Sequence, residues 1–173
     1  MAHELKIINK LIILYLLHKI DFSITRKQIY NFILITCDYT NFDLLQEAIV
    51  ELEETEMIEN CIIKKQTFVQ ITAEGINTLT SLKSHLTPAI RQDIDQKLYE
   101  QKFAMQKELS IQAVYDKSSR TQEYEAYLTA KDGKIPLIEL KLSLPSEELA
   151  ANVCKNWKEK SETIYQYLTE QLF

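Results

Sequence analysis

Residues 40–75, TNFDLLQEAIVELEETEMIENCIIKKQTFVQITAEG, decide how the rest of the chain is read. Thr40-Asn41-Phe42-Asp43 has the form of a capping box, with Thr40 as N-cap, and Leu45, Ile49 and Leu52 then recur at helical spacing. Two apolar runs follow, Glu59–Lys64 and Thr67–Thr72, and are expected as strands flanking a Lys65-Gln66 tip. In the second run Phe68, Gln70 and Thr72 alternate with Val69 and Ile71, so successive side chains fall on opposite faces. Thr72 then caps a further helix to about His85, with Glu74 at its positive end.

Upstream, residues 5–20 (LKIINKLIILYLLHKI) predict a first helix that is apolar on nearly every side between Ile7 and Leu17. A helix without a polar face is buried on every face. One face packs in its own domain and another needs a second cover, from the C-terminal helix or from a second subunit. Phe22-Ser23-Ile24 is expected as a short strand. Thr25-Arg26-Lys27-Gln28 then forms a capping box and opens helix two over residues 26–37. Cys37-Asp38-Tyr39 is the turn into helix three. Two short helices joined by a tight turn make a helix-turn-helix, and the ribbon behind them makes it a winged one.

Downstream, Thr87-Pro88 restarts the chain as N-cap and first helical residue, which places a domain boundary between residues 1–86 and 87–173. Residues 88–109 read as a long helix with Ile90, Ile94, Leu98 (or Tyr99), Met105 and Leu109 inward. A strand over 110–116, a polar loop over 117–122 and a hairpin of 123–130 with 134–144 come next. Apolar residues occupy even positions in both hairpin arms. A two-residue loop pairs even with odd positions, so the parity predicts a three-residue loop, Lys131-Asp132-Gly133, with a bulge and Gly133 left-handed. That register sets Ala126 opposite Ile138 and Tyr124 opposite Leu140. Pro136 belongs on an edge strand. Pro145-Ser146-Glu147-Glu148 caps a last helix to Leu172, striped by Val153, Trp157, Ile164, Leu168 and Leu172. The fold class expected is α+β: an N-terminal winged helix-turn-helix, then an α-β-β-β-α unit with a three-stranded antiparallel sheet.

Composition narrows the function. Only 2 Gly and 3 Pro favour long helices with few irregular loops, and leave no glycine-rich phosphate cradle. Cys37, Cys61 and Cys154 are widely spaced among apolar neighbours, without any C-x-x-C, as for small core residues in a reducing cytoplasm. No signal peptide is expected. The uninterrupted apolar run Leu11–Leu17 is 7 residues long, against the roughly 18 needed to span a bilayer. His3, His18 and His85 lie far apart, and Glu147-Glu148 complements a helix dipole rather than forming a catalytic pair. No enzyme activity, metal or cofactor is expected.

DNA binding requires cations at the start of helix two and on the wing, which Arg26, Lys27, Lys64 and Lys65 supply. Thr40, Asn41 and Gln46, in and near the first turn of helix three, are able to hydrogen-bond bases. The simpler reading is that four cations near loop tips solvate an acidic domain of formal charge -5. Helix three carries the opposite sign. With Leu45, Ile49 and Leu52 inward, Asp43, Glu47, Glu51 and Glu54 are expected outward, and residues 41–56 hold six acids with no Lys or Arg. Carboxylates near phosphates cost energy, so helix three is expected to touch duplex DNA only at its tip.

The order of elements, and above all FVQITAEG leading into a helix, resembles MarR-like and PadR-like bacterial transcription regulators. In those, a Leu/Ile-Thr pair ends a strand and Gly follows the Thr by three residues, as in Ile71-Thr72-Ala73-Glu74-Gly75 here. The tract DYTNFDLLQEAIVELEETEMIE and the C-terminal half resemble an uncharacterised bacterial family of winged-helix proteins, a domain of unknown function. The resemblance covers most of the chain, implies the winged-helix fold and carries no activity with it. Two functions are expected: a cytoplasmic, homodimeric regulator gripping duplex DNA through Arg26, Lys27, Lys64 and Lys65, or a protein-interaction module that uses Asp43, Glu47, Glu51 and Glu54.

Overall fold

The computed structural model describes residues 2–63 and 65–173, which form two compact units, 1–102 and 103–173. The chain is mixed helix and strand, and none of the described helices is long and apolar enough to cross a membrane.

The first unit is built around α1 (Ala2–Lys19). All seven residues from Leu11 to Leu17 are buried, and α1 packs against α3 (Phe42–Glu54), β2 (Gln66–Ile71) and α4 (Ala73–Leu82). Partners from within the unit thus lie against the apolar helix. Between them, α2 (Arg26–Tyr30) starts at the predicted capping box: Thr25 Oγ1 accepts from Gln28 N, and Gln28 Oε1 accepts from Thr25 N. The helix then widens into a π-helical stretch, Asn31–Cys37, and ends on Asp38 in the left-handed region.

The predicted strand at Phe22–Ile24 shrinks to one bridge, in which Val69 N donates to Ile24 O at 2.8 Å. Helix three starts one residue later than its sequence signature implies. Asn41, in extended conformation, is the N-cap, and its side-chain oxygen accepts from Leu44 N at 3.0 Å. Thr40 instead accepts from Asn9 Nδ2 of α1 at 3.1 Å. Both residues are competent caps, and the tertiary contact to α1 decides between them.

The ribbon pairs β1 (Ile58–Ile63) with β2 from Ile58 opposite Ile71 to Ile63 opposite Gln66. Gln66, expected at the tip, is therefore in the second strand, and Lys65 takes a left-handed φ of 63° in the connection. Lys64, expected at the end of the first strand, lies outside the described residues. Thr72 caps α4 by accepting from Gly75 N, and its hydroxyl donates to Glu56 O at 2.7 Å. A Cβ on Gly75 would stand 2.2 Å from Met57 O and 2.8 Å from Ile71 Cγ1. The glycine of the Ile-Thr-x-x-Gly pattern is a packing requirement: α4 crosses the end of the α3–β1 link with no room for a side chain.

After a short 3-10 turn (Lys83–His85), Thr87 caps α5 (Pro88–Ser110). Its first turns are tied to the unit by two Tyr–Asp–Lys clusters. Tyr15 OH donates to Asp95 at 3.0 Å with Lys19 beside it at 3.3 Å, while Tyr39 OH donates to Asp93, which Lys97 meets at 2.9 Å. Burial and then the Asp93 carboxylate push the Tyr39 phenol well above its usual range. Of the expected inward residues, Ile94, Leu98 and Met105 are buried, and Tyr99 is 86% exposed.

In the second unit β3 (Ile111–Lys117), β4 (Tyr124–Asp132) and β5 (Ile135–Leu144) form an antiparallel sheet in that order, with α6 (Glu147–Leu172) packed across it. Ala126, Leu128 and Ala130 of β4 meet Cys154 and Trp157 of α6, and Trp157 Nε1 donates to Thr129 O at 3.1 Å. The buried stripe of α6 is Ala150, Cys154, Trp157 and Ser161, and Leu172 is 74% exposed instead of inward.

The hairpin corrects the predicted register. Asp132 pairs with Ile135 around a two-residue Gly133-Lys134 loop, and a shift between Ala130 and Lys131 then restores even-with-even pairing. Ala126 therefore lies opposite Leu142 and Tyr124 opposite Leu144, not Ile138 and Leu140. The parity rule was sound, but the extra residue sits in the strand rather than in the loop. It falls beside Pro136, which has no N–H to donate. Gly133 is left-handed (φ 57°) and Pro136 lies on an edge strand, as the sequence implied.

Candidate functional site

α3 is amphipathic, with Leu45, Ala48, Ile49 and Leu52 buried. Its acidic side is not the single exposed face read from the sequence. Glu47 lies 2.5 Å from Lys6 and Glu51 pairs with Lys10, both from α1. The two lysines are four residues apart, as are the two glutamates, so α1 and α3 run in the same direction with matched charges along their seam. Its hydrogen bond to Glu47 raises the Lys6 ammonium above its usual range. On the opposite border Glu53 takes the Arg26 guanidinium from α2 and Asn60 Nδ2 from β1 at 2.9 Å.

What remains outward is a mixed stripe. Asp43, Gln46, Val50 and Glu54 are exposed at helical spacing, with Phe42 beside them. Phe42, 53% exposed, stacks on Tyr30 with ring centroids 5.1 Å apart. No Lys or Arg lies on α3. Beyond its C-terminal end an open groove of about 580 Å³ runs between β1 and the start of α4, edged by Glu53, Glu56, Glu59 and Glu74.

The residues expected to bind DNA are dispersed among other duties. Arg26 is paired with Glu53, Thr40 accepts from Asn9, and Asn41 uses its side-chain oxygen as a helix cap. A bidentate grip on adenine needs both amide atoms of Asn, and one of those in Asn41 is engaged. Lys27 and Gln46 are exposed, and Lys65 is exposed at the ribbon tip. Of the four carboxylates expected to meet a protein partner, Asp43 and Glu54 face solvent, whereas Glu47 and Glu51 sit in ion pairs. Sequence reasoning passed over Lys6 and Lys10, although their spacing repeats that of Glu47 and Glu51 at the edge of a buried stripe. Asn60 carried no comparable signal.

Among the described residues, no group of three or more His, Cys, Asp or Glu is placed to hold a metal ion. Burial pushes the Cys37 thiol up to about 11, so it stays protonated and unreactive at neutral pH.

No curated protein and no solved structure matches the chain at a significant level. A family model described as a domain of unknown function, DUF4364, matches residues 9–172, which is nearly the whole chain. The Leu11–Leu17 core, α3 itself and the sheet with α6 all lie within that span, and the chain belongs to this family.

Proposed function

We propose that the first unit is a winged helix-turn-helix module that binds a protein partner through α3 rather than reading DNA. Its element order supports the winged-helix reading: two helices across a tight turn, a β-ribbon bridged to Ile24, and a Thr72-capped helix behind it. The observation that carries the functional reading is the outward stripe of α3. Phe42 and Val50 are exposed beside Asp43 and Glu54, while Lys6, Lys10 and Arg26 are held by the helix's other carboxylates. An apolar centre with an acidic rim suits a partner with Leu-like anchors edged by Lys or Arg. The groove bordered by Glu56, Glu59 and Glu74 extends the same sign of charge.

Fluorescence anisotropy tests this with two probes. A labelled duplex at about 50 mM salt, where nonspecific grip by a DNA reader is strong, is expected to give no change. A labelled amphipathic peptide with a Leu face and Lys/Arg edges is expected to bind, about tenfold more weakly to Phe42→Ala or to Asp43→Lys/Glu54→Lys. Salt-dependent duplex binding would favour the second reading, a DNA-binding regulator. That reading draws on exposed Lys27 and on Lys65 at the ribbon tip, and it predicts loss of binding in Lys27→Ala and Lys64→Ala/Lys65→Ala.

A further inference from the structure

β5 is an outer strand of the second unit's sheet: β4 pairs with one side of it, and among the described residues no strand pairs with the other. Such an edge turns alternate N–H and C=O groups outward, as a template for another strand. Two devices blunt one end of it. Pro136 has no N–H to offer, and the register shift beside it bends the strand. Neither device reaches the stretch from Leu137 to Ser143. Ile138, Leu140 and Leu142 there stand opposite Ala130, Leu128 and Ala126 of β4, and so share the face that α6 covers. α6 runs closest to β3 and meets β5 least, which leaves Leu142 38% exposed. Glu139 and Lys141 lie on the opposite face, one on each side of Leu140.

We propose that β5 pairs with β5 of a second copy of this chain, antiparallel about a two-fold axis at Leu140, which joins the two sheets into one. About that axis each residue faces the partner residue equally far beyond Leu140. Glu139 therefore faces the partner's Lys141, and Lys141 faces the partner's Glu139. Ile138 faces the partner's Leu142, and Leu140 faces its own copy. Directly facing residues of an antiparallel pair lie on one face of the sheet, so charge meets opposite charge and apolar meets apolar. The neighbouring axes fail this test. An axis at Glu139 or at Lys141 sets that charge against its own copy, and an axis at Ile138 or at Leu142 leaves Glu139 facing Leu137 or Pro145. The match is a property of this strand with itself, which is why the occupant is a second copy.

Lys141 is already engaged within its own chain, 3.1 Å from Glu125. An ammonium group has three donors, so the partner's Glu139 adds a second carboxylate without displacing the first. One strand-to-strand seam lies at the low end of specific interfaces, so the dimer is concentration-dependent. The seam lies wholly on the second unit and is independent of α3 and its partner.

Sedimentation velocity across a concentration series reads the association directly. The full chain is expected to move from 20.3 kDa toward twice that mass by about 200 µM. Hydrogen exchange locates the seam: alternate β5 amides between Leu137 and Ser143 are expected to exchange at least about tenfold more slowly in the dimer than in dilute solution. Glu139→Lys and Lys141→Glu each set like charges face to face on both sides of the axis, and each is expected to weaken association about tenfold. An equimolar mixture of the two variants regains both opposite-charge contacts and associates more tightly than either alone. A chain that stays monomeric at about 200 µM, or a dimer whose β5 amides gain no protection, overturns the interface. Both of those readouts use the unaltered chain, so they stand even where a variant fails to fold. A dimer indifferent to Glu139→Lys, or a mixture of folded variants no tighter than each alone, overturns the pairing about Leu140.

Discussion

In the first unit the run Leu11–Leu17 is buried around the whole circumference of one helix, whereas in the second unit β5 leaves Ile135, Leu137 and Leu142 exposed and one helix covers one sheet face. The first core is a helix enclosed by its neighbours. The second is a two-layer sandwich whose largest buried side chain is Trp157, anchored to Thr129 O. A three-stranded sheet is stable only when its apolar face is covered. Stability should therefore be concentrated in very few residues of the second unit and spread over many in the first.

The largest effect that tests this contrast is Trp157→Ala. Removing the indole and its hydrogen bond to Thr129 O should cost about 3–5 kcal/mol. Native-state hydrogen exchange should then show loss of protection in β4 and β5, with α1 amides unchanged. Equal loss in both units would remove the contrast. Next is Gly75→Ala, where a methyl group meets the Met57 carbonyl, a backbone atom that cannot swing aside. A cost of about 1–3 kcal/mol in urea unfolding, confined to the first unit, is expected.

Smaller is Asn41→Ala, expected to cost about 1 kcal/mol because it removes the α3 cap. Asn41→Asp should recover most of that loss, and Thr40→Ala should not mimic loss of the cap. If Thr40→Ala alone unravels the first turn, the cap has been assigned one residue too late. The smallest concerns pH. Hydrogen bonds from Tyr127 and then Lys141 hold the Glu125 carboxyl down at about 2. A depressed folded pKa stabilises above the ordinary carboxylate value, and that contribution is lost as pH falls toward the folded one. Between about pH 5 and pH 2 the wild-type second unit should therefore lose more stability than Glu125→Gln, as followed by thermal unfolding. Parallel curves would remove Glu125 from the account.

Much of the fold was legible because its signals are local. The Thr25–Gln28 box, the caps at Thr72, Thr87 and Ser146 and the even-position alternation of the hairpin each depend on residues a few positions apart. The candidate site was less legible, since its character depends on charges brought from elsewhere. The six acids of residues 41–56 suggested a bare negative face, but Lys6, Lys10 and Arg26 reach three of them from two other helices.

By itself the sequence determined most of the helix and strand segments, where most helices are capped and which stripes are apolar. Short-range hydrogen bonding and periodic burial act within a few residues, so they are written into neighbouring letters. Only the tertiary structure decided which of Thr40 and Asn41 caps α3, where the hairpin takes its extra residue and which carboxylates still face water. Those outcomes depend on groups dozens of positions apart, whose distances are fixed only when the cores close.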